Sequence, residues 1–339
     1  MNTISFQAIL DAPDVSIGYT SKKGVISIAE HLNLHIFKGE MVCLLGPNGC
    51  GKSTLIRTLA GMQNPLQGSI CIEGKEIHSL EIDELAKMMS VVLTDKIDII
   101  NMSVYELVSL GRFPHTNWFG KIQEIDNEII LDSISKVGLD GFADRTIQTL
   151  SDGEKQRTMI AKALAQDTPF IMLDEPTAHL DLPNRIEIMK LLKELARTTY
   201  KSILLSTHEL DLALQVADRI WLMQREKPMV CGTPEDLVLN GSFEQAFKKQ
   251  SFDFDITNGL FKINYNYTHK ISISGDKTVS FWTVRALHRH GFEICEQDPI
   301  IPHIIITKKS WKIISKGIEK ECDSIFELLF VLSTLNFKN

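Results

Sequence analysis

The stretch GPNGCGKST occupies residues 46 to 54 and directly follows the apolar run MVCLL at residues 41 to 45. An unbroken apolar run of this kind is typical of a strand that is covered on both faces in a parallel α/β sheet. The glycines let the backbone curl so that several N–H groups converge, and the helix expected next adds its positive N-terminal end. The stretch therefore predicts a phosphate-binding loop between a buried strand and a helix.

Two side chains of this loop suit the chemistry of a nucleotide triphosphate. We expect Lys52 to reach the β- and γ-phosphates and the hydroxyl of Ser53 to ligate Mg²⁺. The candidate nucleotide-binding residues here are Gly46, Pro47, Asn48, Gly49, Cys50, Gly51, Lys52, Ser53 and Thr54.

Two later apolar runs predict neighbouring strands with polar residues at their ends. PFIMLD, at residues 169 to 174, ends on Asp174, whose carboxylate can hold Mg²⁺, and the adjacent Glu175 can orient or deprotonate an attacking water. His208 follows SILLST at residues 202 to 207. Because ligands gather at the carboxyl ends of parallel strands, we expect this histidine to contact the γ-phosphate.

Length and composition limit the class of protein. The 339 residues, 44% of them hydrophobic, suffice for two domains with a substantial core. The net charge of −7 and the lack of any block of like charges argue against a nucleic-acid partner. Six scattered cysteines argue against a zinc ribbon or a disulfide framework. No apolar run approaches the roughly 20 residues that span a bilayer, so we expect any membrane-spanning part to belong to another chain.

The pattern along the chain changes twice. From about residue 96 to 165, apolar residues at three- and four-residue spacing predict a helical subdomain. The composition shifts near residue 254, so we predict a first domain over 1–254 and an α+β accessory domain over 255–339. In the second, FKINYNY (261–267) and KISISG (270–275) predict strands, and the segments 278–291 and 323–335 predict helices.

Four motifs together resemble the ATP-binding cassette (ABC) ATPases. GPNGCGKST, LSDGEKQR (150–157), IMLDEPTAHLD (171–181) and STHEL (206–210) stand in the order and at the spacing of that family, over roughly residues 12 to 240. The resemblance implies the α/β fold of P-loop NTPases, with a mixed-sheet core and a helical subdomain, and ATP and Mg²⁺ as ligands. It also implies further nucleotide contacts from Tyr19, which stacks on adenine, from Ser151 and Gly153, which touch the γ-phosphate held by a second copy, and from Asp181.

Three residues depart from the family pattern. In the signature LSDGEKQR, Asp152 replaces a glycine and Glu154 replaces the usual glutamine. Acids at a helix N-terminus face unpaired N–H groups and the positive end of the helix dipole, so we expect both to stabilise the helix rather than oppose the phosphates. Asp95 stands where the family has a glutamine, and we expect it to reach Mg²⁺ or its water.

The segment SVYELVSLGRFPHTNWFGK, at residues 103 to 121, resembles a stretch of bacterial importers of iron-siderophore, haem and cobalamin complexes. This implies two copies of the chain with two permease subunits and an extracytoplasmic binding protein, the chain lying peripherally on the cytoplasmic face of the inner membrane. One alternative is a soluble, non-transport ATPase whose C-terminal domain binds a macromolecule. Another, a small-molecule kinase, does not need the signature. For the C-terminal domain itself we expect a regulatory or dimer-stabilising role.

Overall fold

The computed structural model describes residues 8–22, 24–93, 101–116, 121–248, 252–298, 301–315 and 317–334. The described chain divides into two compact units. The first runs to Lys248 and includes Phe254–Leu260, and the second takes the remainder.

The first unit contains a mixture of strands and helices. Its strands are β1 (Ala8–Ser21), β2 (Gly24–Phe37), β3 (Met41–Leu45), β4 (Cys71–Ile72), β5 (Lys75–Glu76), β6 (Met89–Val92), β7 (Phe170–Asp174), β8 (Ser202–Ser206), β9 (Arg219–Leu222) and β10 (Val230–Gly232). Its α-helices are α1 (Lys52–Leu59), α2 (Ile82–Met88), α3 (Val104–Ser109), α4 (Glu124–Lys136), α5 (Asp152–Ala165), α6 (Leu182–Thr199), α7 (Leu210–Val216), α8 (Pro234–Leu239) and α9 (Ser242–Phe247).

A six-stranded sheet in the order β10-β9-β3-β8-β7-β6 forms the centre of this unit. β3, β7 and β8 are buried at every residue, which confirms the prediction from their unbroken apolar runs. These three strands are parallel neighbours, with Leu44 opposite Ser206 and Ser206 opposite Asp174. Their carboxyl ends therefore lie side by side, which is where the candidate polar residues follow.

A second, antiparallel sheet has the order β2-β1-β4-β5. β1 and β2 are each 14 residues long, although their sequences read as several short alternating runs. Their pairing is interrupted by register shifts, such as that between Ala12 and Val15. Each irregularity breaks the two-residue alternation, so one long hairpin reads as separate strands.

The helical subdomain is built from α3, α4 and α5. A 3₁₀ segment, Leu110–His115, follows α3 and carries the buried Arg112. Its guanidinium donates to Asp126 of α4 at 2.9 Å and to the carbonyl of Ala165 of α5 at 2.8 Å. One buried cation thus ties the three parts of the subdomain together.

The second unit contains a five-stranded sheet in the order β14-β13-β15-β16-β17. Its elements are β13 (His269–Gly275), α10 (Lys277–Arg289), β14 (Phe292–Ile294), β15 (His303–Ile306), β16 (Trp311–Ser315), β17 (Ile318–Cys322) and α11 (Ile325–Thr334). Before them in the chain, β11 (Phe252–Asp255) and β12 (Leu260–Ile263) form a two-stranded sheet. Both helices were predicted. β12 ends at Ile263, so the strand predicted over 261–267 is shorter than expected, and β14 to β17 were not predicted.

No helix among the residues described has the length and apolar character needed to cross a bilayer.

Candidate functional site

The phosphate loop connects β3 to α1 at the carboxyl end of β3, an inner strand of the central sheet. Gly49 and Gly51 have φ values of +70° and +111°, a backbone region that L side chains rarely adopt. A Cβ on Gly51 would lie 2.3 Å from the side chain of Ile28. Residues 47 to 49 are exposed while Gly46 and Cys50 are buried, so the tip of the loop faces solvent.

Lys52, the first residue of α1, is 5% exposed. Its Nζ donates to the carbonyl oxygens of Gly46 at 3.0 Å and Pro47 at 3.4 Å. The ammonium is therefore held inside the curve of the loop. Ser53, the next residue, is exposed, so its hydroxyl is open to a ligand.

Tyr19 lies beside the loop on β1. Its hydroxyl forms a 2.7 Å hydrogen bond with the hydroxyl of Thr54, and the residue is 45% exposed. The bond fixes the position of an aromatic ring whose surface remains accessible. Such a ring can stack on a base.

Asp174 and Glu175 share a hydrogen-bond partner to which the sequence assigned no role. The buried hydroxyl of Ser206 donates to Oδ1 of Asp174 at 2.6 Å and accepts from the backbone N–H of Glu175 at 2.9 Å. Ser206 is the last residue of β8 and the first residue of the STHEL motif, but the sequence assigned no role to its hydroxyl. This hydroxyl links the carboxyl ends of β7 and β8.

Glu175 and His208 also meet. Oε1 of Glu175 lies 2.7 Å from Nε2 of His208, and the two side chains are 28% and 43% exposed. The backbone of Glu175 has a φ of +49°, so it is held in a conformation that is unfavourable for a residue with a side chain. A carboxylate oriented by a histidine and reachable from solvent can position or deprotonate a water.

Asp181 begins α6 and caps it. Its Oδ1 accepts from the backbone N–H of Asn184 at 3.1 Å and from the Asn184 side-chain amide at 2.7 Å. The Asn184 Oδ1 would lie 2.6 Å from a Cβ on Gly153. A side chain at position 153 would therefore displace the Asn184 amide, a contact that the sequence did not predict.

The signature residues begin α5. Ser151 is the N-cap, and its hydroxyl accepts from the backbone N–H of Glu154 and donates to Oε2 of Glu154 at 2.8 Å. The backbone N–H of Ser151 donates to the same carboxylate at 2.7 Å, and this bond lowers the pKa of Glu154 below its usual value. Glu154 thus caps the helix, as we expected for this acid. The Asp152 side chain is 73% exposed and lies 3.7 Å from Lys155.

The structure accordingly brings together Asp174, Glu175 and His208, and separately Tyr19 with the phosphate loop. Within the described ranges, no hydrogen bond or ion pair joins Ser151 to either group. Asp95 lies outside the described residues. Burial raises the pKa of the Cys50 thiol, so this residue stays neutral within the loop.

Comparisons with known proteins agree with this geometry. Residues 29–178 match the ABC transporter family model, and residues 268–333 match that of the iron ABC transporter C-terminal domain. An ABC transporter ATP-binding protein of Methanocaldococcus jannaschii is 36% identical over 76% of this chain and 88% of its own length. The petrobactin import ATP-binding protein FpuC of Bacillus anthracis is 33% identical over 80% and 93%, and the iron(3+)-hydroxamate import ATP-binding protein FhuC of Bacillus subtilis is 35% identical over 70% and 87%.

Solved structures show the same fold. CbiO1 from Clostridium perfringens, part of the ABC transporter complex CbiONQ, aligns with a TM-score of 0.62 at 29% identity, over 70% of this chain and 94% of that one. A bacterial ABC transporter cassette solved as a dimer aligns with a TM-score of 0.56 at 28% identity, over 64% of this chain and 97% of that one. The predicted α/β P-loop fold is confirmed, and this chain belongs to the ATP-binding proteins of ABC transporters, which hydrolyse ATP.

Proposed function

We propose that this chain is the ATP-hydrolysing subunit of a bacterial importer for iron chelates of the siderophore, haem or cobalamin type. The observation that carries the proposal is the match of residues 268–333 to the iron ABC transporter C-terminal domain, on a chain whose cassette resembles petrobactin and iron(3+)-hydroxamate import proteins. Two copies would work with two permease subunits and an extracytoplasmic binding protein. The chain would lie peripherally on the cytoplasmic face of the membrane. Its ATP-binding domain would end near residue 254, where the accessory domain would begin.

The roles of the phosphate loop follow from its geometry. Lys52 already lies inside the loop, so a small movement of its Nζ from the Gly46 and Pro47 carbonyls would bring it to the β- and γ-phosphates. The exposed ring of Tyr19 would stack on adenine. The backbone N–H groups from Gly46 to Thr54 would hold the remaining phosphate oxygens.

The hydroxyl of Ser53 and the carboxylate of Asp174 would hold Mg²⁺. Both are hard oxygen donors, and Mg²⁺ is usually bound by one or two protein oxygens, phosphates and water, so the donor set fits. The ion would neutralise charge on the β- and γ-phosphates when bound. Asp95 is also proposed to approach Mg²⁺.

Glu175 would orient or deprotonate the attacking water. His208, 2.7 Å away, would position this carboxylate and contact the γ-phosphate. The N–H of Glu175 is tied to Ser206, which would keep the carboxylate from swinging away. These residues form one half of the catalytic site.

The other half would come from a second copy. Ser151 and Gly153 of one copy would contact the γ-phosphate bound by the other copy, and Asp181 would lie at the same interface. A related cassette was solved as a dimer, which supports the pairing of two copies. ATP would close the two cassettes, and hydrolysis would release them.

Uptake measurements test the proposal. In cells whose only copy of the chain carries Glu175→Gln, we expect uptake of at least one of radiolabelled ferric siderophore, haem or cobalamin to be lost. Glu194→Gln, which neutralises an exposed carboxylate of the same unit, is the matched control and should leave uptake intact. Unchanged uptake of all three classes by the Glu175→Gln cells, with normal protein levels, would count against the importer assignment. Co-purification with a soluble macromolecule instead of a membrane protein would favour the non-transport alternative.

A further inference from the structure

Arg225 is a cation on the phosphate loop that the proposed mechanism does not use. It follows β9, and its Nε donates to the carbonyl of Gly49 at 3.2 Å, across 176 residues of sequence. Its Nη2 lies only 2.7 Å from the place that a Cβ on Gly49 would occupy. The guanidinium therefore lies against the exposed tip of the loop.

The adjacent Glu226 does not form an ion pair with this guanidinium, although both residues are exposed. Among the residues that the structure describes, no carboxylate lies within ion-pair distance of Arg225, and the residue is exposed. A guanidinium has five N–H donors in a planar fork, of which the Gly49 carbonyl uses one. The remaining N–H groups can donate to the oxygens of a carboxylate or phosphate.

Asp152 is the acid of the signature that faces solvent. It stands at the first position of α5, between the two signature residues Ser151 and Gly153. Its side chain is 73% exposed and forms one long, solvent-exposed ion pair, at 3.7 Å, with the Lys155 ammonium, a contact of a kind that contributes little and can be exchanged for a closer partner. Glu154 turns back to cap the helix, whereas Asp152 projects its charge into solvent.

We propose that Asp152 of one copy pairs with Arg225 of a second copy when ATP closes the two cassettes. The inference rests on the proposed function, in which Ser151 and Gly153 of one copy approach the phosphate loop of the other. Asp152 lies between those two residues, so its carboxylate would approach the phosphate loop of the other copy. Arg225 of that copy lies at the tip of this loop. Because such an interface is symmetric, the pair forms twice in each dimer.

This pairing explains how an acid is accommodated at the signature. An aspartate beside the partner's phosphates, with only an exposed lysine near it, would oppose ATP by like-charge repulsion. Arg225 supplies the compensating charge from the opposite copy. The pair makes closure selective for a second copy of this chain, since a cassette that lacks the arginine leaves Asp152 uncompensated.

Charge reversal in the hydrolysis-blocked Glu175→Gln chain tests the pair. We measure ATP-dependent dimerisation of the full chain by sedimentation velocity. Arg225→Asp and Asp152→Arg are each expected to raise the dimer dissociation constant at least about tenfold, because each reversal places like charges opposite one another at two contacts. The double reversal should restore the constant to within about threefold of the Glu175→Gln parent, since the pair is regenerated with opposite polarity.

A matched control and a binding measurement separate the outcomes. Lys190→Glu reverses an exposed charge on α6 and should leave dimerisation unchanged. ATP binding to the monomer, followed with a fluorescent ATP analogue, should be the same for Arg225→Asp and its parent. Loss of that binding would mean that Arg225 serves its own copy's nucleotide, which would overturn the pair.

Single reversals without effect, or a double reversal that fails to restore dimerisation, would also overturn the pair, while the composite site would stand. A Glu175→Gln parent that stays monomeric with ATP would instead contradict the composite site, and the pair with it.

Discussion

Replacing Ser206 with alanine should impair catalysis far more than replacing Ser202, although both serines lie on β8. The Ser206 hydroxyl donates to the Asp174 carboxylate and accepts from the N–H of Glu175, and both bonds are lost in Ser206→Ala. A hydrogen bond to a charged group contributes about 1.5–3 kcal/mol and a neutral one about 1 kcal/mol. The two losses together predict a destabilisation of about 3 kcal/mol.

Ser202 provides a matched control at the other end of the strand. Its buried hydroxyl donates to the carbonyl of Phe37 and accepts from the N–H of Gly39, so it also donates one hydrogen bond and accepts one. Both of its partners are neutral backbone groups, so Ser202→Ala should cost about 2 kcal/mol. The two variants therefore have similar folding defects and differ in what the lost hydroxyl held.

The difference should appear in kcat. Without Ser206, the backbone of Glu175 loses the contact that helps to keep it at a φ of +49°, and its carboxylate becomes free to leave the catalytic position. A loss of about 1.4 kcal/mol in transition-state stabilisation corresponds to a tenfold lower rate, so we expect kcat to fall at least about tenfold for Ser206→Ala and to stay near wild type for Ser202→Ala. Steady-state ATPase assays at a temperature where urea titration shows both variants folded make the comparison. Equal kcat values for the two variants would refute the positioning role of Ser206.

Three further substitutions probe the signature and the helical subdomain. Glu154→Gln keeps a side chain that can cap α5 but removes its charge. The pKa of Glu154 in the folded protein is lower than its unfolded value of 4.5. Wild type should therefore be more stable than this variant above pH 4.5 and should lose that advantage as the pH falls through the folded pKa. Urea titrations between pH 7 and pH 3 measure the difference in unfolding free energy, and a difference that does not change with pH would contradict the prediction. Asp126→Ala should lower the free energy of unfolding by about 3–5 kcal/mol because it leaves the buried Arg112 without its carboxylate partner. The double variant with Arg112→Met should recover most of that loss in the same urea titrations. Gly153→Ala should lower ATPase activity because its Cβ would overlap Asn184, and adding Asn184→Gly should recover part of it; no recovery would mean that the methyl acts elsewhere.

Much of the site was predictable because its signals are local. The phosphate loop, the buried strands before it and before Asp174, and the capping role of Glu154 each depend on residues within one short segment. Strand burial shows as an unbroken apolar run, and a cap shows as an acid three residues after a serine. Patterns of that length carry their own structural meaning.

The second unit was harder to predict from its sequence. β14 to β17 are three to five residues long, too short for a period to stand out against the background of exposed and buried positions. β13 lies between β14 and β15 in the sheet. Along the chain, α10 separates it from β14, and α10, β14 and a loop separate it from β15. Their pairing depends on chain segments meeting in space rather than on any one segment.

The sequence by itself determined the family, the buried strands that the candidate polar residues follow, and the identity of the candidate site residues. Only the tertiary structure showed that Ser206 joins Asp174 to Glu175, that Asn184 packs on Gly153, and that Arg225 lies on Gly49. The reason is physical. Hydrogen-bond donors, acceptors and close contacts that are 31 to 176 residues apart are matched by the packing of the sheet, and no local pattern along the chain records which of them will meet.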